Sequence, residues 1–156
     1  MIKLDIPGFG LLELEHFVTD FSGTLSEDGK VLPRVIEKLN ELSEQLNIHV
    51  LTSDTFGCAQ QELKGVNCTL HILEGGGHTV QKEKYVSALG ENRVAALGNG
   101  NNDAGILRAA RLGIIVCLKE GCSIEALNAS RILVRSPVDA IDLFLYPKRL
   151  IATLRI

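Results

Sequence analysis

Short apolar runs rich in β-branched residues alternate with amphipathic stretches at helical spacing about five times along this chain, and that alternation predicts a parallel sheet covered on both faces by helices. The expected strands are 16–20, 48–52, 68–72, 93–97, 114–118 and 132–134. Between them, Pro33 opens a helix in which Val35, Ile36, Leu39, Leu42 and Leu46 form one apolar stripe that ends near Asn47. Shorter helices are expected at 57–64, 79–89, 102–110 and 122–128. Ser136-Pro137 supplies a cap and a first-turn proline for a helix running to about Leu145. The fold class is therefore α/β, a three-layer Rossmann-like parallel sheet.

Two small features stand outside this pattern. Alternating segments around Pro7-Gly8-Phe9-Gly10 predict a small N-terminal hairpin at the sheet's margin, and Asp28-Gly29 predicts a hairpin projecting beyond the first main strand. The tail, Pro147–Ile156, reads as a terminal helix docked on its own core or as an oligomer contact. Connections are short, so residues 1–156 are expected to form a single domain.

Composition narrows the function classes. The formal charge is −3 and no basic cluster offsets it, which disfavours nucleic acid and anionic membranes as partners. There is no Trp and few other aromatics, so base-stacking platforms are lacking. No apolar run nears the roughly 20 residues of a membrane span, and the first residues do not resemble a signal peptide. Cys58, Cys68, Cys117 and Cys122 form no C-x-x-C pair, and His16, His49, His71 and His78 lack metal-ligand spacing. Reduced thiols in a cytoplasmic protein are the simplest reading. Cys117 and Cys122 read as core and helix-start residues.

Chemistry gathers at the predicted strand ends, where open α/β sheets bind ligands. Asp20 ends the run His16-Phe17-Val18-Thr19, with Ser22, Gly23 and Thr24 in the following turn. Thr52-Ser53 ends a second strand. Lys82 and Lys84 lie early in a helix, and Asn99 to Asp103, including Asn102, follow another strand. Together they offer a carboxylate nucleophile, hydroxyl donors, an ammonium and an oxygen-rich cluster. A phosphoryl group needs such a set: donors and a cation for its oxygens, with Mg²⁺ held by carboxylates. An Asp can then attack phosphorus and carry the group covalently. Each feature has a plainer meaning alone. Asp20 could cap a turn, Lys82 could be a solvated helix charge, and Gly98–Asn102 could merely cap a helix with Asp103 favoured by its dipole. Gly75-Gly76-Gly77 and Gly98-x-Gly100 complete no nucleotide-binding fingerprint and read as turns.

In order, Asp20-Phe21-Ser22-Gly23-Thr24-Leu25, Leu51-Thr52-Ser53, Lys82 and Gly98-Asn99-Gly100-Asn101-Asn102-Asp103 resemble the four motifs of the haloacid dehalogenase-like (HAD) superfamily. The nearest likeness is to the soluble proteins related to the phosphorylation domain of P-type ATPases. The resemblance covers about residues 16–118 and implies a HAD-type fold and phosphoric monoester hydrolase chemistry. It implies Asp20 as nucleophile and metal ligand and the Ser22 carbonyl as a metal ligand. It also implies Thr52, helped by Ser53, as phosphoryl donor, Lys82 rather than Lys84 as the cation, and Asp103 in the metal cluster. Asn99, Asn102, Gly23 and Thr24 would support them.

Two positions depart from the family pattern. Ser22 stands where typical family phosphatases carry a second Asp that acts as general acid and base, help worth roughly 10²–10⁴-fold. Asn99 stands where a metal-binding Asp is usual, so metal affinity should fall. Roughly thirty residues separate Asp20 from Thr52 and Thr52 from Lys82, leaving no room for a cap domain. A site left open would admit a small phosphorylated substrate or a phosphorylated macromolecule, or be covered by another subunit, which makes a homo-oligomer the expectation. The competing reading is a catalytically degenerate fold that binds a phosphorylated ligand or partner in a regulatory role. A receiver-like phospho-acceptor fits less well, since its Asp follows a later strand.

Overall fold

The structure is a computed structural model describing residues 1–54 and 57–156. In chain order the elements are β1 (Ile2–Ile6), β2 (Gly10–Leu14), β3 (His16–Asp20), β4 (Ser26–Glu27), β5 (Lys30–Val31), α1 (Val35–Ser43), β6 (Asn47–Thr52), α2 (Ala59–Glu62) and β7 (Thr69–Ile72). They continue with α3 (His78–Leu89), β8 (Val94–Gly98), α4 (Ala104–Ala109), β9 (Leu112–Val116), α5 (Ile124–Ala129), β10 (Ile132–Val134), α6 (Pro137–Leu145) and α7 (Pro147–Leu154). Two short 3₁₀ turns, Glu91–Arg93 and Asn101–Asp103, lead into β8 and α4.

Six strands form one sheet in the order β10-β9-β8-β3-β6-β7, and every neighbouring pair is parallel. From β3 the chain steps outward through β6 and β7, returns to β8 on the other flank of β3, and steps outward again. The reversal lies between β3 and β8, the kind of switch point at which open α/β sheets leave a crevice at their carboxyl edge. Successive strand residues are sorted between two cores. Phe17, Val50, Leu97 and Ile114 pack with α1, α6 and α7, whereas Val18, Leu51, Ala96 and Ile115 pack with α3, α4 and α5. Strands buried on both faces must be apolar throughout, which is why they read as runs rather than alternations. Phe17 and Phe144 meet edge to face at 5.6 Å, a pairing worth about 0.5–1.5 kcal/mol beyond burial.

The expected N-terminal hairpin is present, and two details, in α1 and β9, differ from the sequence reading. The N-terminal hairpin pairs only with itself, and Ile2, Ile6, Leu12 and Leu14 join the core that also holds Leu150 and Leu154 of α7. The tail is thus a helix docked on its own chain. In α1, Ile36 is partly exposed and Lys38 is buried instead, its Nζ 3.1 Å from Asp142 on α6. A charge at an otherwise apolar helix position is tolerated because α6 brings its counter-ion. The fifth strand begins at Leu112, two residues before the predicted start, because Gly113 lets it pass close beneath the Leu107 carbonyl of α4.

Far from the carboxyl edge, α3 is tied to the sheet by a polar relay. Tyr85 contacts His49 Nδ1 at 2.9 Å, and His49 Nε2 lies 3.0 Å from His16 Nδ1. Burial and the neighbouring His16 push the His49 pKa from 6.5 down to about 4. The unfolded chain therefore binds a proton that the fold refuses across this interval. The contribution of His49 to stability is full above pH 6.5 and is lost as pH falls toward 4, by at most about 1.4 kcal/mol per pH unit. In urea denaturation, the margin by which wild type exceeds His49→Gln should shrink between about pH 7.5 and pH 5. A margin that stays constant contradicts this account.

Candidate active site

Asp20 is the last residue of β3, and β8 beside it ends at Gly98, so Asn99 emerges on the opposite bank of the switch point. Thr52 ends β6 on the other side of β3, paired with β7. Lys82 reaches the same place from the second turn of α3 and is 1% exposed. Its ammonium lies 2.8 Å from Asp20 Oδ1 and 2.6 Å from Asp103 Oδ1. The structure therefore gathers Asp20, Thr52, Lys82, Asn99 and Asp103 at one edge, and Lys82 has left solvent entirely.

Asp103 is fully buried and both its oxygens are occupied. Oδ1 accepts from Lys82, and Oδ2 accepts the backbone N–H groups of Asn99 and Gly100, each at 3.0 Å. The carboxylate folds so tightly against Gly98 that a Cβ there would lie 2.5 Å from the Asp103 Cβ. Gly98 is thus required by close approach. Thr24 Oγ1 stands 3.3 Å from Asp20 Oδ2 and 3.2 Å from Asn99 Oδ1, bridging the two banks. Asn99 also donates through Nδ2 to the Gly121 carbonyl at 3.3 Å. Asn102 is exposed on the turn.

The electrostatics follow from burial. The Asp20 pKa is raised to about 7: desolvation is the main cause, the Asp103 carboxylate adds to the rise, and the charge and hydrogen bond of Lys82 and the Phe21 backbone N–H oppose it. Burial works against the Lys82 ammonium, but Asp20 and Asp103 outweigh it and hold its pKa above the ordinary lysine value. The Ser22 hydroxyl is buried and has no hydrogen-bond partner among the described residues, a state that costs about 1–3 kcal/mol. Among the described residues the Ser22 carbonyl also accepts no backbone hydrogen bond. Thr52 Oγ1 accepts the Asp54 N–H at 2.9 Å, which leaves its own proton available to an acceptor.

Two side chains that shape the site have no site role in the sequence reading, which takes Asp54 only as part of a strand's polar exit. Asp54 adopts a left-handed backbone (φ 52°) and its Oδ1 accepts from the Cys58 and Ala59 N–H groups, fixing the exit of β6 to the start of α2. An Asp a few residues before a short helix was the available signal. Glu120, on the loop after β9, places its carboxylate over Gly23; its sign was an acidic residue just beyond a strand's carboxyl end. On the same loop, Cys117 is exposed rather than core, and its thiol pushes that of Cys122 up to about 11.

The site and sheet together define a haloacid dehalogenase-like fold. A phosphatase of 3-deoxy-D-manno-octulosonate 8-phosphate from Moraxella catarrhalis, solved with magnesium, phosphate and KDO, superposes with a TM-score of 0.70 at 16% identity, covering 91% of this chain and 94% of that one. The cobalt-bound YrbI phosphatase of Haemophilus influenzae gives 0.71 at 13% identity, over 88% and 90% of the two chains. A HAD subfamily III A hydrolase from Legionella pneumophila gives 0.70 at 14%, over 92% and 88%. No family model matches the sequence. The chain belongs to the same family as an uncharacterized protein of Methanocaldococcus jannaschii, to which it is 38% identical over 84 residues, spanning 51% of this chain and 90% of that protein.

Replacing Lys82 by Met would leave two buried carboxylates facing each other. Removing one partner of such a cluster costs about 3–5 kcal/mol, read as a shift in the urea midpoint. Adding Asp103→Asn should restore part of that loss. A Lys82→Met protein as stable as wild type contradicts the triad's role.

Proposed function

We propose that this protein is a divalent-cation-dependent phosphoric monoester hydrolase or phosphotransferase that carries the phosphoryl group on Asp20. The observation behind this reading is the convergence of Asp20, Lys82 and Thr52 on the carboxyl edge at the switch point, in a fold shared with phosphatases. Lys82 holds Oδ1 of Asp20, so Oδ2, which faces the Thr24 hydroxyl at 3.3 Å, is assigned as the attacking oxygen. As the Oδ2–phosphorus bond forms, the bond to the leaving oxygen breaks and the alcohol takes its proton from solvent. Water then attacks phosphorus, inorganic phosphate departs, and the Asp20 carboxylate is regenerated. Lys82 and the free proton of Thr52 offset charge on the phosphoryl oxygens, with Ser53 adjoining.

The residues present fit a divalent cation, Mg²⁺ being our choice: Asp20 and the unengaged Ser22 carbonyl are oxygen donors beside a buried, orphaned hydroxyl. Such an ion would neutralise phosphoryl charge and favour the ionised form of Asp20. Asp103 was expected among the ligands. With both oxygens engaged, we assign it instead to anchoring Lys82 and the Asn99 turn.

Ser22 cannot protonate the leaving group or activate water as a carboxylate would, so turnover is slow and the phosphoenzyme long-lived. Only the two-residue strands β4 and β5 rise between Asp20 and α1, so a second copy of the chain in a homo-oligomer is the proposed cover. The substrate is a small phosphorylated molecule or an exposed phosphoryl group on a macromolecule. Among the described residues no helix is long and apolar enough to cross a membrane. A reducing cytoplasmic setting suits the four free cysteines. The regulatory, non-catalytic reading draws on Ser22 and Asn99.

The test is hydrolysis of p-nitrophenyl phosphate and acetyl phosphate with Mg²⁺. Slow wild-type turnover should vanish in Asp20→Asn and rise by at least about tenfold in Ser22→Asp. Equal rates for wild type and Asp20→Asn contradict the mechanism. Strong activity appearing only when Ser22→Asp and Asn99→Asp are combined favours the regulatory reading.

A further inference from the structure

We propose that Glu120 is a cation ligand of this site, supplying from the loop after β9 the second carboxylate that the Asn99 turn lacks; this rests on the metal-dependent reading above. Among the described residues, the carboxylates paired with Lys82 are those of Asp20 and Asp103. Lys82 engages one oxygen of Asp20 and one of Asp103, and backbone amides take the remaining oxygen of Asp103. One carboxylate oxygen and neutral donors are a thin set for a hard divalent ion, which prefers several anionic or carbonyl oxygens.

Glu120 meets that need from outside the recognised motifs. Its Oε2 occupies the space where a Cβ on Gly23 would stand, and the Asn99 Nδ2 lies 2.8 Å from the same point. Gly23 is two residues from Phe21 and adopts φ +72°, so both its backbone and its missing side chain suit this close approach. Among the described residues the Glu120 carboxylate has no hydrogen-bond or ion-pair partner, although its neighbour Lys119 pairs with Glu27 of β4 at 3.4 Å. Both of its oxygens are thus unengaged beside the turn that follows Asp20.

The backbone of the loop that carries Glu120 is fixed to the β8 turn. Asn99 donates to the Gly121 carbonyl at 3.3 Å, and the Ser123 N–H donates to the Asn99 carbonyl at 2.8 Å. The Gly121 N–H closes the turn on the Leu118 carbonyl at 2.9 Å. The Asn99 side chain thus acts chiefly as a strut, fixing the Glu120 loop to the β8 turn while Glu120 supplies the charge.

Mn²⁺ binding to the intact protein, followed by calorimetry and by the loss of free-ion electron paramagnetic resonance signal, tests this without turnover. Glu120→Gln should weaken Mn²⁺ binding by at least about tenfold, while Glu125→Gln, at an exposed pair with Arg108, should leave it unchanged. Adding Asn99→Asp to Glu120→Gln should recover affinity. Wild-type affinity in Glu120→Gln, with or without a loss of turnover, overturns the ligand role while leaving the metal-dependent reading intact. No Mn²⁺ binding by wild type, or binding unaffected by Asp20→Asn, overturns both.

Discussion

The ion triad of Lys82 with Asp20 and Asp103 is the interaction on which the rest of the site depends. Three charges are withdrawn from water at the end of a parallel sheet, and none would be stable there alone. The ammonium lets two carboxylates share a space they could not both occupy as anions. In return, the carboxylates hold a lysine from α3 in the interior, and so pin that helix across the sheet. Asp103 extends the triad into the backbone by accepting from Asn99 and Gly100, which shapes the β8 turn. One cluster therefore sets the position of Asp20, of the Lys82 ammonium and of the opposite bank of the crevice.

The arrangement also leaves an imbalance. Burial and the neighbouring Asp103 raise the Asp20 pKa even though Lys82 engages one of its oxygens, and the other faces the Thr24 hydroxyl. Ser22 beside it has a buried hydroxyl with nothing to bond. These are the features of a site completed by a ligand, since buried polar groups in folded proteins are otherwise paired. The proposed cation and phosphoryl group would provide what Asp20 and Ser22 lack.

Much of this was legible in the sequence because it rests on short-range rules. Runs such as Phe17-Val18 and Ile114-Ile115 announced strands buried on both faces, and Asp28-Gly29 and Ser136-Pro137 marked a turn and a helix start by local chemistry. Asp20, Thr52 and Lys82 were found because each follows or faces a strand end. What escaped depended on contacts between distant segments. The burial of Lys38 is set by Asp142 a hundred residues later, and the early start of β9 by Leu107 above Gly113. The saturation of Asp103 requires knowing that two backbone amides turn back upon it. Glu120 lies on a loop with no motif, and only the fold brings it over Gly23.

Phosphoryl transfer through Asp20 leaves a covalent mark on that residue. The most direct measurement is incubation with acetyl phosphate and Mg²⁺, acid quench, borohydride reduction and peptide mass spectrometry. Reduction of an aspartyl phosphate converts that residue to homoserine. The account predicts homoserine at position 20 in wild type and none in Asp20→Asn. Phosphoryl transfer to a different residue, or hydrolysis with no modified Asp20 at any time point, would contradict it.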